Sequence, residues 1–196
     1  SLIGALLWLA RGTRPDIYFA VIYLSRFSNC YDAQHFAAAK RILRHVISTV
    51  DRCLVYKRQH GSTPQQPLKV STFSDSDWAS DSDRKSFSGC VVQLNGCPVS
   101  WGCKKQVTIA LSSVEAEYMA LSDATRETLY VVNLLREFFD IETPVPTRID
   151  NKGAGFIAEN NVNNKRTKHI DVRHHFVRYY ISNKLIELFY VPTTEN

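Results

Sequence analysis

The polar stretch Gly61-Ser-Thr-Pro-Gln-Gln-Pro67 divides the chain into two parts whose apolar residues follow different periods. Upstream the period is helical. Between Gln34 and Thr49, Phe36, Ala39, Ile42, Leu43, Val46 and Ile47 share one face, and Lys40, Arg41, Arg44 and His45 fall mostly on the other. No Gly or Pro interrupts this segment, and Asp32 or Ala33 begins it. Thr13-Arg-Pro-Asp16 reads as a turn between helices, with Pro15 suited to a first helical turn because its fixed φ and missing N–H are harmless there. Two prolines in a polar run continue neither a helix nor a strand. The expected organisation is therefore a small helical subdomain over 1–57, a linker over 58–68 and a second domain over 69–196.

Downstream the period shortens to that of strands. Val70 to Asp75 reads as the first strand, and Ser88 to Trp101 as a hairpin around Asn95-Gly96, two residues that tolerate the positive φ of a tight turn. Val107 to Leu111 reads as the third strand, the hairpin being counted as one. Ser112 opens a long helix, and Ser112 with Glu115 has capping-box spacing. Thr147 to Asp150, Gly153 to Glu159, Ile170 to Ser182 and Leu185 to Val191 read as strand, short helix, helix and strand, with a loop at Asn160–Asn164. Hairpin-joined strands followed by helix, strand, helix and strand predict an α/β fold, a mixed five-stranded sheet flanked by helices.

The 196 residues suffice for one good core with a small appended subdomain. The apolar start, Leu2 to Ala10, has about half the length a membrane span needs and lacks the features of a signal peptide, so no membrane partner is expected. Five cysteines, an odd number without a CxxC pair, fit reduced intracellular thiols. The net charge of +5 is concentrated. Lys165, Arg166, Lys168, Arg173 and Arg178 stand against Asp171 alone between 165 and 178, the electrostatic footprint of a nucleic-acid partner when it lies beside an acidic site.

Such a site is legible in three acids. Asp75 and Asp150 end strand-like runs, and Glu117 lies early in the long helix. Clustered carboxylates repel one another unless cations lie between them, and oxygen-only ligands favour magnesium or manganese over zinc. Asp77 rivals Asp75, but alternation places Phe73 and Asp75 on one strand face and leaves Asp77 to cap the next segment. Glu115 rivals Glu117, but capping gives it a structural task.

Several strings carry a family resemblance in one order. They are Phe73-Ser-Asp-Ser-Asp-Trp-Ala79, Val99-Ser-Trp-Gly-Cys-Lys-Lys-Gln106, Ala110-Leu-Ser-Ser-Val-Glu-Ala-Glu-Tyr-Met-Ala-Leu121, Ile149-Asp-Asn-Lys-Gly-Ala154 and Arg166-Thr-Lys-His-Ile-Asp-Val-Arg-His-His-Phe-Val-Arg178. Together they resemble the ribonuclease H of copia-type LTR retrotransposon Pol polyproteins. Ser1–Ala10, Thr13–Asp16 and Lys40–Arg44 resemble the end of the reverse transcriptase that precedes it. The resemblance implies a ribonuclease H-like fold behind a thumb or connection remnant. It implies hydrolysis of the RNA strand of RNA–DNA hybrids, with Asp75, Glu117 and Asp150 holding two Mg2+ ions, for which Mn2+ can substitute, about 4 Å apart. Glu117-Tyr-Met-Ala120 fits the family pattern where Glu115 does not. The implied setting is intracellular, either cytoplasmic in a virus-like particle or nuclear, beside the remainder of a reverse transcriptase. The paired-aspartate polymerase motif is absent, so polymerisation by this chain alone is not expected.

In such relatives a fourth carboxylate comes after the segment resembling Val191-Pro-Thr-Thr-Glu-Asn196. The expectation is that this acid and the C-terminal helix that would present it are missing here, so that the three remaining acids bind metal weakly and activity is weak or absent. Asp171 and His169 are candidates for accessory roles, although Asp171 also suits a helix N-terminus. Zinc is not expected at His169, His174 and His175, which have basic neighbours and no nearby cysteine. Lys40, Arg41, Arg44, Lys104, Lys105, Lys165, Arg166, Lys168 and Arg173 are the candidate nucleic-acid contacts, Lys104 and Lys105 because they lie just after Trp101. The alternative function, of a different class, is a non-catalytic retroelement-derived module that binds nucleic acid or protein.

Overall fold

The computed structural model of the chain describes residues 1–56, 66–160, 168–194 and 196, with 168–171 described by backbone alone. The chain forms two compact units, Ser1–Tyr56 and Lys57–Asn196. Residues 57–65, most of the expected linker, lie outside the described residues.

The first unit holds three helices: α1 (Leu2–Gly12), α2 (Tyr18–Ser25) and α3 (Ala33–Ser48). The Ser1 hydroxyl accepts the Gly4 N–H at 3.2 Å and so caps α1. Asp32 caps α3 by accepting the N–H groups of Gln34 and His35 at 2.8 and 2.9 Å. A 3-10 turn at Pro15–Ile17 separates α1 from α2, with Pro15 in its first turn. Leu6, Ala10, Ile17 and Val21 form the core, and Ile42 and Val46 of α3 pack against it. Phe36 departs from the expected packing face. It is exposed, and its ring lies under the Lys40 ammonium, 4.5 Å from the centroid. Arg14 is buried, and its guanidinium forks onto Asp16 at 2.9 and 2.8 Å and donates to the Thr49 hydroxyl at 2.7 Å. That guanidinium holds the Asp16 carboxyl down at about 2.

The second unit is a five-stranded sheet with the order β3-β2-β1-β4-β5. Its strands are β1 (Val70–Ser76), β2 (Phe87–Leu94), β3 (Cys97–Lys105), β4 (Val145–Ile149) and β5 (Ile186–Tyr190). The first three pair antiparallel, and β4 runs parallel to both β1 and β5. Asn95 and Gly96, with φ of 51° and 82°, make the turn between β2 and β3 that the sequence predicts. Gln66–Leu68, assigned to the linker by sequence, belong to this unit: Leu68 bridges to Ile141, and its N–H donates to the Asp140 carbonyl at 2.8 Å.

Three helices complete the unit: α4 (Ser113–Arg136), α5 (Lys152–Glu159) and α6 (Lys168–Ser182). α4 packs along β1 and β2, and α5 and α6 pack against α4 and β5. Val70, Val92, Tyr118, Leu121, Val132, Val145, Ile149, Val177 and Ile186 make the shared core. Burying such apolar side chains drives the sheet and helices together, at about 1.5–3 kcal/mol for each large one. On β1 and β4 the buried positions alternate, so Phe73 and Arg148 share the opposite face, where the guanidinium lies 5.0 Å from the ring centroid.

The strand expected at Val107–Leu111 is a correction. Lys105 pairs with Phe87, the first residue of β2, so the ladder has run out of partner before Val107. The segment is irregular, and Val107, Ile109 and Leu111 project into solvent.

Candidate metal centre

β1 and β4 are parallel neighbours, so their carboxyl ends emerge at one edge of the sheet. Side chains at such ends converge in the crevice outside the strands. Asp75 is the penultimate residue of β1, and Asp150 directly follows β4. Asn151 then caps α5 by accepting the Ala154 N–H at 3.0 Å, which turns the chain sharply after Asp150. Glu117 lies near the start of α4, which packs along β1. Each of the three residues offers a carboxylate oxygen, and these oxygens lie within 4.8 Å of one another.

The three are held differently. Asp75 is the most exposed of the three, Asp150 is half-buried and Glu117 is 7% exposed. The Thr193 hydroxyl donates to Asp150 Oδ2 at 2.8 Å. Ser76 donates twice to Glu117 Oε1, from its backbone N–H at 3.2 Å and from its hydroxyl at 3.0 Å. Glu117 Oε2 is buried without a hydrogen-bond partner. Burial pushes the Glu117 carboxyl up to about 7; the Ser76 hydroxyl opposes that push, and the charges of Asp75 and Asp150 add to it. Asp75 is raised as well, first by desolvation and then by Asp150.

A buried carboxylate with one oxygen unpaired, beside two further carboxylates, is incomplete on protein atoms alone. A hard divalent cation accepts oxygens from all three and removes their mutual repulsion. The donor set therefore fits magnesium or manganese.

The rival acids have other tasks. Asp77 accepts the Phe87 N–H and the Ser80 hydroxyl, and so ties the loop after β1 to the start of β2. Glu115 accepts the Leu111 N–H at 2.9 Å, while its own N–H donates to the Ser112 cap at 3.2 Å. This is the structural role its spacing predicts, shifted by one residue from the usual capping box.

The described candidate basic residues fall on different elements. Lys104 Nζ lies 3.0 Å from Asp123, which also gathers Arg173 at 3.6 Å and Arg126 at 3.8 Å. Arg173 donates to the Met119 carbonyl at 3.3 Å as well, fastening α6 to α4. Lys105 is engaged by Asp81 and by Asp83, the latter at 2.7 Å, so its charge is neutralised within the protein. Lys40, Arg41 and Arg44 are exposed on α3 of the first unit. Lys165 and Arg166 lie outside the described residues, as do the side chains of Lys168, His169 and Asp171. His174 packs on Tyr118, with ring centroids 4.1 Å apart, and its carbonyl accepts the tyrosine hydroxyl at 3.4 Å.

Sequence reasoning missed Ser76, Thr193 and Asp123. A hydroxyl directly after a candidate metal ligand is a usable signal for Ser76. Asp123 carries only the i,i+3 spacing to Arg126 as a local signal, because its other two cations come from β3 and α6.

No protein-family model matches the chain. It is 36% identical over 195 residues, 98% of its length, to the retrovirus-related Pol polyprotein from transposon RE1 of Arabidopsis thaliana. It is 34% identical over 197 residues to that from transposon TNT 1-94 of Nicotiana tabacum. The chain spans only 13% and 14% of these two relatives. A third relative, the secreted RxLR effector protein 161 of Plasmopara viticola, is 44% identical over 132 residues, which cover 67% of this chain and 89% of that protein. Among solved structures, LC11 ribonuclease H1, isolated from compost, matches with a TM-score of 0.51 at 15% identity, over 65% of this chain and 87% of that one. The same enzyme in complex with an RNA/DNA hybrid gives 0.50 at 14% identity, over 65% and 88%. At such identities the likeness is one of fold.

Proposed function

The chain belongs to the retrovirus-related Pol polyproteins of copia-type transposons, its second unit has the ribonuclease H fold, and from this we propose that it is the ribonuclease H of such an element. The proposed reaction is metal-dependent, endonucleolytic hydrolysis of the RNA strand of an RNA–DNA hybrid. The observation that carries this reading is the convergence of Asp75, Glu117 and Asp150 at the carboxyl ends of β1 and β4.

Asp75 and Asp150 would hold two divalent ions between them, and Glu117 would complete the shell of one. When bound, such a pair supplies a water acidic enough to attack at neutral pH and a counter-charge for the leaving 3′ oxygen. The protein's own contribution is placement. The parallel pairing of β1 and β4 fixes the spacing of the two aspartates, Thr193 restrains Asp150, and Ser76 restrains Glu117. Charges already fixed in place need no rearrangement as the reaction proceeds. Choice of RNA would come from 2′-hydroxyls and hybrid shape, not from base edges. Unit 1 would be the end of the reverse transcriptase, with Lys40, Arg41 and Arg44 on the phosphates. The proposed setting is inside the cell, where the five free cysteines stay reduced.

The test is cleavage of a labelled RNA–DNA hybrid with Mg2+ or Mn2+, beside RNA–RNA and DNA–DNA duplexes and a chelator control. Cleavage confined to the RNA strand of the hybrid and abolished by chelation is the expected result. A second reading, a non-catalytic binding module, is favoured by the similarity over 89% of a relative named as a secreted effector. Tight hybrid binding with no cleavage under either metal would select it.

A further inference from the structure

We propose that Ser76 is the positioning residue of the metal centre, fixing which oxygen of Glu117 is presented to the ion. The inference rests on the reading of the three carboxylates as an ion site.

Consecutive residues of a strand point to opposite faces. Ser76 comes directly after Asp75 on β1, so the acid lies on the face of Phe73 while the serine lies on the face of Val70, Thr72 and Ser74, beneath α4. From there both of its donors reach one acceptor. The N–H lies 3.2 Å and the hydroxyl 3.0 Å from Glu117 Oε1, across 41 positions of sequence.

A carboxylate is free to rotate about its last bond and can present either oxygen, or both, to a cation. Two donors on Oε1 remove that freedom. They leave Oε2 as the buried oxygen without a protein partner, the atom that a cation would satisfy. Glu117 is thereby constrained to bind through one oxygen, in a fixed direction. Partners that orient a metal ligand typically influence affinity by about 10- to 100-fold. The backbone N–H survives substitution by alanine or threonine, so removing the hydroxyl loosens the carboxylate without freeing it, and the lower end of that range applies.

The experiment is Mn2+ titration of the full chain by electron paramagnetic resonance, without nucleic acid, for the parent, Ser76→Ala and Ser76→Thr. The alanine variant is expected to bind Mn2+ about tenfold more weakly, and the threonine variant, which keeps the hydroxyl, to recover the parent's affinity. In hybrid cleavage at saturating Mn2+, the alanine variant should lose kcat with KM for the hybrid unchanged. A serine that only supports the fold would lower the unfolding temperature and leave Mn2+ affinity unmoved. Parent-like Mn2+ binding by Ser76→Ala overturns the positioning role alone. A parent that binds no Mn2+ overturns the ion-site reading and this role with it.

Discussion

Glu117 carries a charge that the metal-free fold tolerates poorly, and that intolerance is measurable as stability. Its carboxyl titrates at about 7 in the fold against an ordinary 4.5, because burial and two neighbouring carboxylates disfavour the anion. The raised value means that the folded state holds the proton more tightly than the unfolded state. The cost is absent below pH 4.5, grows as the pH rises, and is complete above pH 7. At about 1.4 kcal/mol per unit the shift amounts to about 3 kcal/mol. Glu117→Gln removes the charge and keeps an acceptor for Ser76. Urea unfolding of both proteins in a chelator, from pH 4 to pH 8, should give similar stabilities at the acid end. At pH 8 the glutamine variant should be the more stable, by about 3 kcal/mol. Adding Mn2+ at pH 8 should then stabilise the parent by mass action more than it stabilises the variant, which keeps only Asp75 and Asp150 as charged ligands. A parent that is as stable as the variant at pH 8 in chelator would refute the picture of an uncompensated buried carboxylate.

Three further outcomes are expected. Asp75→Asn should abolish hybrid cleavage while leaving circular dichroism and hybrid affinity intact, and surviving cleavage would remove Asp75 from the centre. Neutralising Lys40, Arg41 and Arg44 should flatten the salt dependence of hybrid affinity by about 0.9 in log–log slope per lost phosphate contact, whereas an unchanged slope would leave α3 a solvated face. A Cβ at Gly153 would meet Val114 Cγ2 at 2.9 Å and the Asn151 cap oxygen at 3.2 Å. Gly153→Ala should therefore lower the unfolding temperature despite alanine's better helix propensity of about 1 kcal/mol, and a raised temperature would show that Val114 yields freely.

What could be read from sequence was whatever had a local cause. Alternation along Lys69–Asp75 located β1 and the face of Asp75, Asn95-Gly96 marked the turn, and the Ser112/Glu115 spacing separated the structural glutamate from Glu117. Val107–Leu111 shows where local pattern misleads. Its alternation is that of a strand, but a strand needs a neighbour, and β2 begins too late to supply one. Ser76 offered only its place directly after Asp75 as a signal, because its hydroxyl has no role until α4 lies across β1. Lys105 looked like a phosphate contact because Asp81 and Asp83, which engage it, stand more than twenty positions away.

The parallel pairing of β1 with β4 also has a kinetic consequence. Antiparallel β1, β2 and β3 can zip from the Asn95-Gly96 turn, closing short loops. The β1–β4 contact instead closes a loop that contains the whole of β2, β3 and α4. Contacts of such long sequence separation repay their loop-closure entropy late and slow folding. The three carboxylates ride on the elements that meet in that last event, so the ion site is absent from early, hairpin-rich species. Divalent cations should accordingly slow unfolding far more than they speed folding, and bound Mn2+ becomes a reporter of the completed chain topology.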